Sequence, residues 1–234
     1  MEQLYLRPHD VVDKTAQILL KEILTFTQQK GYCSLVLSGG KSPTALYQKL
    51  AKLLPATVLA RLHLFLLDER YVPVDSLESN AKMVFENFLS PLPQASRPDP
   101  QHIHFMQTNL DEKSCAQQYH QEIVNELRNF GPFDLIFMGA GSDGHVASLF
   151  PGREKDWPTQ EVTAFVTQSP DGLRRISMNY PVILGAKKLF LYVIHERKKT
   201  LVEKILAQDS SSSSLPVFQI LNNHTQITFI YSYK

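Results

Sequence analysis

The chain has 234 residues, of which 43% are hydrophobic, and its 24 lysines and arginines against 23 acidic residues give a formal net charge of +1. This composition is ordinary for a globular protein with a buried core, and the mixed charges argue against the basic surface that nucleic-acid binding needs. No apolar run approaches the roughly 20 residues of a membrane span, so a membrane partner is not expected either.

Two features of the sequence bear on its compartment. The first ten residues, MEQLYLRPHD, carry charges where a signal peptide would have its apolar region. Cys33 and Cys115 stand alone without CxxC spacing, which fits a reducing compartment better than a disulfide framework. We therefore expect a cytoplasmic protein.

Short apolar runs predict the strands. Four of them are apolar nearly throughout, a pattern typical of strands that are covered on both faces in a parallel sheet. These four lie at 34–37, 62–67, 134–138 and 189–194. Weaker strand patterns lie at 102–106, 162–167, 174–178 and 226–232.

Amphipathic helical patterns fall between the strands, at 11–31, 79–89, 112–131 and 196–207. Ser42 and Pro43 are predicted as the N-cap and first residue of one more helix, TALYQKLAKLL. The alternation indicates an α/β protein with a doubly wound, mainly parallel sheet and helices on both faces, in a modified Rossmann-like arrangement. No linker flanks a segment of domain size, so we expect residues 1–234 to form one domain.

The loops after the four main strands are polar, and ligands bind at the carboxyl ends of the strands in such sheets. The first loop, SGGKSPT, is predicted to bind an anion through the backbone N–H groups of Gly39 and Gly40, with help from Ser38, Lys41 and Ser42. A tight turn with a helix cap is the alternative. The second loop begins with Asp68, Glu69 and Arg70, which serve either a ligand or one another in a solvated charge cluster.

Two nucleotide-binding motifs are weighed against these loops. A P-loop would need a glycine at position 35, which is Leu35. The stretch 139–144, GAGSDG, matches the dinucleotide pattern GxGxxG, but it lies beyond mid-chain and places Asp143 where a pyrophosphate would sit. Glu161 has the spacing of the ribose-binding acid but precedes its strand, so a dinucleotide site is not favoured.

Histidines offer two further hypotheses. His145 is predicted to activate water as a general base, with Asp143 orienting it, since the sequence contains no GxSxG nucleophile elbow. A histidine that caps the following helix is the alternative. His102 and His104 share a strand face, but without a third ligand nearby we interpret them as surface residues and expect no metal.

Five segments together resemble the 6-phosphogluconolactonases, which share a superfamily with glucosamine-6-phosphate deaminases. They are Ser38–Pro43, Asp68–Pro73 with Ser79-Asn80, Gly139–Gly152, Arg175–Ser177 and Lys198. The deaminases typically have DEY where this chain has DER, and an acidic residue where it has Ser148-Leu149-Phe150, which favours the lactonase. Lys41 replaces a common serine or threonine, and His195 and Arg197 leave the choice between Lys198 and Lys199 open.

The resemblance implies hydrolysis of 6-phospho-D-glucono-1,5-lactone in the oxidative pentose phosphate pathway, without metal or cofactor. It implies that His145 and Asp143 are catalytic, and that the substrate is held by Ser38, Gly39, Gly40, Lys41, Ser42, Asp68, Arg70, Arg175 and Lys198. The alternatives are a deaminase or isomerase of amino-sugar phosphates, a non-catalytic sugar-phosphate sensor and a nicotinamide oxidoreductase. The expected partner is a small sugar phosphate, and the sequence does not indicate an oligomeric state.

Overall fold

A computed structural model describes residues 1–158 and 161–233. Its strands are β1 (Glu2–Tyr5), β2 (Cys33–Leu37), β3 (Leu62–Leu66), β4 (Asp68–Arg70), β5 (Ile103–His104), β6 (Leu135–Met138), β7 (Ala164–Gln168), β8 (Arg174–Met178), β9 (Lys188–Val193) and β10 (Ile227–Tyr231). Its α helices are α1 (Val11–Lys30), α2 (Thr44–Leu53), α3 (Ala56–Leu59), α4 (Asn80–Val84), α5 (Glu112–Phe130), α6 (Tyr180–Gly185), α7 (Lys199–Leu206) and α8 (Pro216–Asn223).

Seven strands form one sheet in the order β1-β10-β9-β6-β2-β3-β5, and every neighbouring pair is parallel. The four main predicted strands are its centre, β9, β6, β2 and β3, and β2, β3 and β6 are buried along their whole length. Alternate residues of β2 enter opposite cores, with Val36 on one side and Leu35 on the other. Helices α5 to α8 cover the first face and α1 to α4 the second, which confirms the doubly wound prediction.

A second, smaller sheet was not expected. Strands β4, β8 and β7 pair antiparallel in that order, so the weak patterns at 162–167 and 174–178 lie outside the large sheet. The segment Asp68–Arg70, predicted as a loop, is a strand because it pairs with β8. This pairing sets Asp68 opposite Ser177 and Arg70 opposite Arg175.

The two longest predicted helices, 11–31 and 112–131, are confirmed to within one residue. Other predicted helices begin or end at different residues in the structure. Helix α2 begins at Thr44 with no side-chain cap, so the predicted N-cap at Ser42 is wrong. The pattern at 79–89 is α-helical to Val84 and continues as a π turn, Phe85–Leu89. The strand predicted at 102–106 is only Ile103–His104, since His102 ends a 3₁₀ turn.

The described part of the chain contains no helix with both the length and the apolarity needed to cross a membrane.

A buried carboxylate fastens the central strands together. Asp134, just before β6, is fully buried and accepts hydrogen bonds from the backbone N–H (3.0 Å) and hydroxyl (3.3 Å) of Ser34 in β2. The ammonium groups of Lys30 and Lys187 lie 2.7 and 2.9 Å from its Oδ1. One side chain therefore connects the end of α1, two central strands and the approach to β9.

We expect Asp134→Ala to lower the free energy of unfolding by about 3 kcal/mol, because it leaves two ammonium groups and a buried N–H without their partner. This is the lower end of the cost of breaking a buried pair, since both lysines are partly exposed to water. Urea denaturation of the variant and the wild type measures the difference. The matched control Asp13→Ala removes an exposed pair with Lys49 and should cost about 0–1 kcal/mol. Equal losses in both variants would contradict the role of Asp134.

Candidate active site

The loops after β2, β6 and β9 and the small sheet surround one cavity of about 240 Å³. Ten of the eleven residues predicted for the site line it: Ser38, Gly39, Gly40, Lys41, Ser42, Asp68, Arg70, His145, Arg175 and Lys198. The eleventh, Asp143, contacts the side chain of His145. The predicted loops therefore do converge at the carboxyl edge of the sheet.

The loop after β2 has the geometry of an anion site. Gly39 packs so closely on the buried Asn80 that a Cβ would overlap its amide, and Gly40 has a φ of +87°, a conformation that suits glycine. Among the described residues, the backbone N–H groups of positions 39–42 meet no hydrogen-bond acceptor. They precede the N-terminus of α2, where the helix dipole also favours negative charge.

The small sheet contributes a carboxylate and two guanidinium groups. Asp68 Oδ2 accepts a hydrogen bond from Ser148 Oγ at 2.6 Å and lies 3.6 Å from Arg175 Nη1. Arg70 donates from Nη1 to the backbone oxygen of Glu78 at 2.7 Å. Both arginines have a buried Nε without a hydrogen-bond partner in the described chain. Both arginines also line the cavity, so the small sheet brings two positive charges to it.

His145 is held by Asp143 at one ring nitrogen. Its Nδ1 lies 2.7 Å from Asp143 Oδ1, and the same oxygen accepts the backbone N–H of His145 at 3.3 Å. A Cβ on Gly141 would overlap both side chains, which explains the glycine there. The hydrogen bond from His145 lowers the pKa of Asp143, so this carboxylate stays ionised at neutral pH. With Nδ1 occupied, Nε2 is the nitrogen left to accept a proton.

Phe150 is a contact that sequence reasoning did not identify. The centroid of the Phe150 ring lies 5.0 Å from the ring centroid of His145. The guanidinium of Arg175 lies 5.8 Å from the same Phe150 centroid. Phe150 is itself buried. One aromatic ring therefore lies beside both the histidine and a cationic group of the cavity.

The two lysines that follow β9 lie in different surroundings. Lys198, the residue just before α7, lines the cavity, and burial lowers its pKa while the charge of Asp143 opposes that shift. Lys199 instead places its ammonium 5.4 Å from the ring centroid of Tyr233. Of these two lysines, Lys198 is therefore the one that lines the cavity.

Eight residues of the lining were not predicted as site residues: Pro43, Asn80, Phe137, Gly139, Ala140, Gly141, Ala147 and Tyr192. The hydroxyl of Tyr192 and Oδ1 of Asn80 are buried without a hydrogen-bond partner in the described chain. Tyr192 lies within an apolar strand and Phe137 likewise, so nothing local distinguishes them from core residues. Asn80 could have been predicted from the sequence, because the pair Ser79-Asn80 belongs to one of the five segments that resemble the lactonases.

The expectation for His102 and His104 needs correction. Neither is a freely exposed surface residue, and the fold brings His63 and Glu126 beside them, so the argument that no third ligand lies nearby is wrong. This cluster lies outside the lining of the cavity.

Glu69 fixes the turn that carries Asn80. This buried carboxylate accepts the backbone N–H groups of Arg70, Asn80 and Ala81, each at 2.7 Å, and the hydroxyl of Ser79 at 3.1 Å. Burial raises its pKa above the usual value, against the opposing effect of the three N–H donors. It is a structural group of the site, and the charge cluster at 68–70 is neither solvated nor paired only with itself.

Comparisons with known proteins agree on one family. A family model described as glucosamine-6-phosphate isomerases/6-phosphogluconolactonase matches residues 7–229. A 6-phosphogluconolactonase of Synechocystis sp. is 31% identical over 213 residues, which cover 88% of this chain and 85% of that protein. A crystal structure of 6-phosphogluconolactonase from Thermotoga maritima covers 100% of this chain and 99% of its own, with a TM-score of 0.84 and 24% identity, and so has the same fold.

One similar protein is much longer. The GDH/6PGL endoplasmic bifunctional protein of Homo sapiens is 30% identical over 230 residues, which cover 96% of this chain but 28% of that protein. The chain therefore spans less than a third of this relative's length.

We expect Glu69→Gln to destabilise the fold and to disturb the cavity. Both carboxylate oxygens of Glu69 accept hydrogen bonds, so whichever oxygen the amide NH₂ replaces, that NH₂ would face N–H or O–H donors. An unsatisfied buried donor costs about 1–3 kcal/mol, which urea denaturation measures as a lower free energy of unfolding. The control Glu78→Gln changes an exposed side chain nearby and should leave stability unchanged. Unaltered stability of the Glu69 variant would refute the role given to its carboxylate.

Proposed function

The chain belongs to the glucosamine-6-phosphate isomerase/6-phosphogluconolactonase family, and we propose that it hydrolyses 6-phospho-D-glucono-1,5-lactone to 6-phosphogluconate. The observation that carries the proposal is one cavity lined by His145, whose Nδ1 is held by Asp143, and by Arg70, Arg175 and Lys198. A base with a free nitrogen suits ester hydrolysis, and three cations suit a phosphate.

In the proposed mechanism, neutral His145 accepts a proton at Nε2 from a water that attacks the lactone carbonyl. The tetrahedral intermediate collapses when the C1–ring oxygen bond breaks, and His145 returns the proton to that oxygen. Asp143 is a positioning residue: by accepting the Nδ1 proton it fixes the tautomer whose Nε2 is basic. A lactone is a reactive ester, so the steps use only water and these side chains.

The phosphate is proposed to lie on the loop after β2. The free N–H groups of positions 39–42 supply directed donors there, and Lys41 adds charge at the exposed rim. Arg175 offers a fork and Lys198 a point charge, both of which match phosphate oxygens. Arg70 completes the set from the small sheet. These contacts hold the substrate so that its carbonyl faces His145.

The deaminase alternative within the family is less well supported by the residues present. The position after Ala147 is Ser148, a buried hydroxyl that donates to Asp68. A ring-opening relay at this position would need a carboxylate, and serine does not provide one. The lactonase reaction needs no group there.

The same proposal includes the domain organisation, the compartment, the pathway and the partner. We propose that residues 1–234 act as one domain in the cytoplasm, within the oxidative pentose phosphate pathway. The proposed partner is the sugar phosphate alone, and the proposed reaction uses no nucleic acid, membrane or cofactor.

The first test measures acid release from freshly generated 6-phosphogluconolactone and from unphosphorylated gluconolactone, each above its spontaneous rate. We expect fast turnover of the phosphorylated lactone only. His145→Asn should lower kcat by about 10²–10⁴-fold, the usual contribution of a general base, and should leave KM nearly unchanged. The exposed His9 provides the matched control His9→Asn, which should keep full activity.

Two outcomes would overturn the assignment. If neither lactone is hydrolysed faster than in buffer and ammonia is released from glucosamine 6-phosphate, the chain is a deaminase. If His145→Asn keeps full lactonase activity, the base is another group.

The role of Lys198 predicts how ligand binding depends on pH. Because burial lowers its pKa, Lys198 loses its positive charge at a lower pH than the 10.5 of an ordinary lysine. We expect affinity for the product, 6-phosphogluconate, to fall by about tenfold as pH rises through that range, the worth of one charge-assisted hydrogen bond. Titration calorimetry between about pH 7 and pH 10 measures this loss without a labile substrate.

The matched variants are Lys198→Arg and Lys199→Arg. Arginine keeps its charge at high pH, so Lys198→Arg should flatten the pH dependence, whereas Lys199→Arg should retain it. The same slope in both variants would show that another group causes the loss.

A further inference from the structure

A second cluster of polar side chains lies at the opposite end of the sheet from the cavity. His63 is the second residue of β3, and its Nδ1 lies 2.9 Å from Oε2 of Glu126 in α5. His104, in the edge strand β5, brings a third group to the same place. His63, His104 and Glu126 each offer one ligand atom, and these atoms all lie within 4.8 Å of one another.

His63 and Glu126 are buried, His104 is partly buried, and two polar atoms in this region lack a hydrogen-bond partner among the described residues. Glu126 is 4% and His63 5% exposed. Oε1 of Glu126 has no hydrogen-bond partner among the described residues, and neither has the buried Nδ1 of His102, whose ring stacks on that of His63 at 4.2 Å. A buried carboxylate oxygen without a partner is costly. A bound cation would satisfy it.

The arrangement around His104 is that of a ligand with its supporting group. Its Nδ1 lies 3.1 Å from Oε2 of Glu122, one turn before Glu126 on α5, and Gln118 holds the other oxygen of Glu122 at 3.0 Å. A metal-bound histidine commonly donates its second ring nitrogen to a carboxylate in this way, which fixes its tautomer and orientation. The ring of His104 also stacks on Phe65 at 4.3 Å, so its plane is fixed.

We propose that His63, His104 and Glu126 bind a divalent transition metal ion, with Zn²⁺ the best match, and that the ion fastens the edge strand β5 to α5. Two imidazoles and one carboxylate are a common three-ligand set for zinc, with water in the fourth position. Bonds of about 2.0–2.2 Å to a tetrahedral zinc place its ligand atoms about 3.3–3.6 Å apart, so atoms separated by as much as 4.8 Å would approach one another by up to about 1.5 Å when an ion binds. The inference is independent of the reaction proposed for the cavity.

The experiment titrates Zn²⁺ alone into the full chain after treatment with a chelator, with calorimetry to give stoichiometry and affinity. We expect one ion per chain in the wild type and in His9→Asn. His104→Asn should weaken binding by more than about tenfold, since loss of a supporting group alone typically costs 10–100-fold. Zinc should also raise the Tm of the wild type but not that of His104→Asn.

Two further variants show whether a bound ion lies at this cluster or in the cavity. Glu122→Gln changes a partly exposed helix position, so it keeps the test valid if His104→Asn does not fold, and it should weaken binding by about 10–100-fold. His145→Asn should bind zinc like the wild type. No binding by the wild type would overturn the proposal. So would binding that survives both cluster variants or is lost in His145→Asn, since the ion would then lie in the cavity.

Discussion

The antiparallel pairing of β4 with β8 is the constraint on which the cavity depends. It sets Arg70 directly opposite Arg175, and like charges opposed on one face of a sheet repel. Asp68 offsets part of this through its 3.6 Å contact with Arg175, and Phe150 lies against the same guanidinium. The positive charge that remains is what a phosphate dianion would neutralise. The pairing therefore brings two like charges together, and a bound anion would relieve their repulsion.

Buried polar groups hold this pairing and its loops in place. Glu69 accepts hydrogen bonds from the backbone of the turn at 79–81. This turn positions Asn80 so that it packs against Gly39. Asp134 fastens β2 to the start of β6, the two strands whose loops carry the glycines. Hydrophobic packing stacks the helices on the sheet, but it does not fix the conformation of the loops, because apolar contacts are not directional. The hydrogen-bonded carboxylates add the directional contacts that set the loops to within the tolerance a bound ligand requires.

The parts of the fold that the sequence predicts are those whose cause is local. Continuous apolar runs indicated the four central strands because both faces of each are covered, and strand ends in parallel sheets converge, so most site residues were predictable as polar loops. Strand β4 was not, because three charged residues form a strand only through pairing with β8, more than 100 positions away. The same holds for His63 and Glu126, which lie in an apolar run and an ordinary helix and meet only through tertiary packing.

Two of the histidine–carboxylate pairs in the described chain, His145–Asp143 and His63–Glu126, have similar geometry but differ in their access to water. His145 and Asp143 are 31% and 47% exposed in their side chains, so water and substrate can reach the free nitrogen and protons can leave. His63 and Glu126 are 7% and 3% exposed, and Tyr32 and Phe130 pack on the ring of His63. Proton exchange with a substrate is blocked there, whereas a fixed ion would satisfy the free oxygen of Glu126. Nδ1–carboxylate distances of 2.7 and 2.9 Å are similar in the two pairs, so it is the difference in exposure that supports the base proposed at His145 and the ion proposed at Glu126.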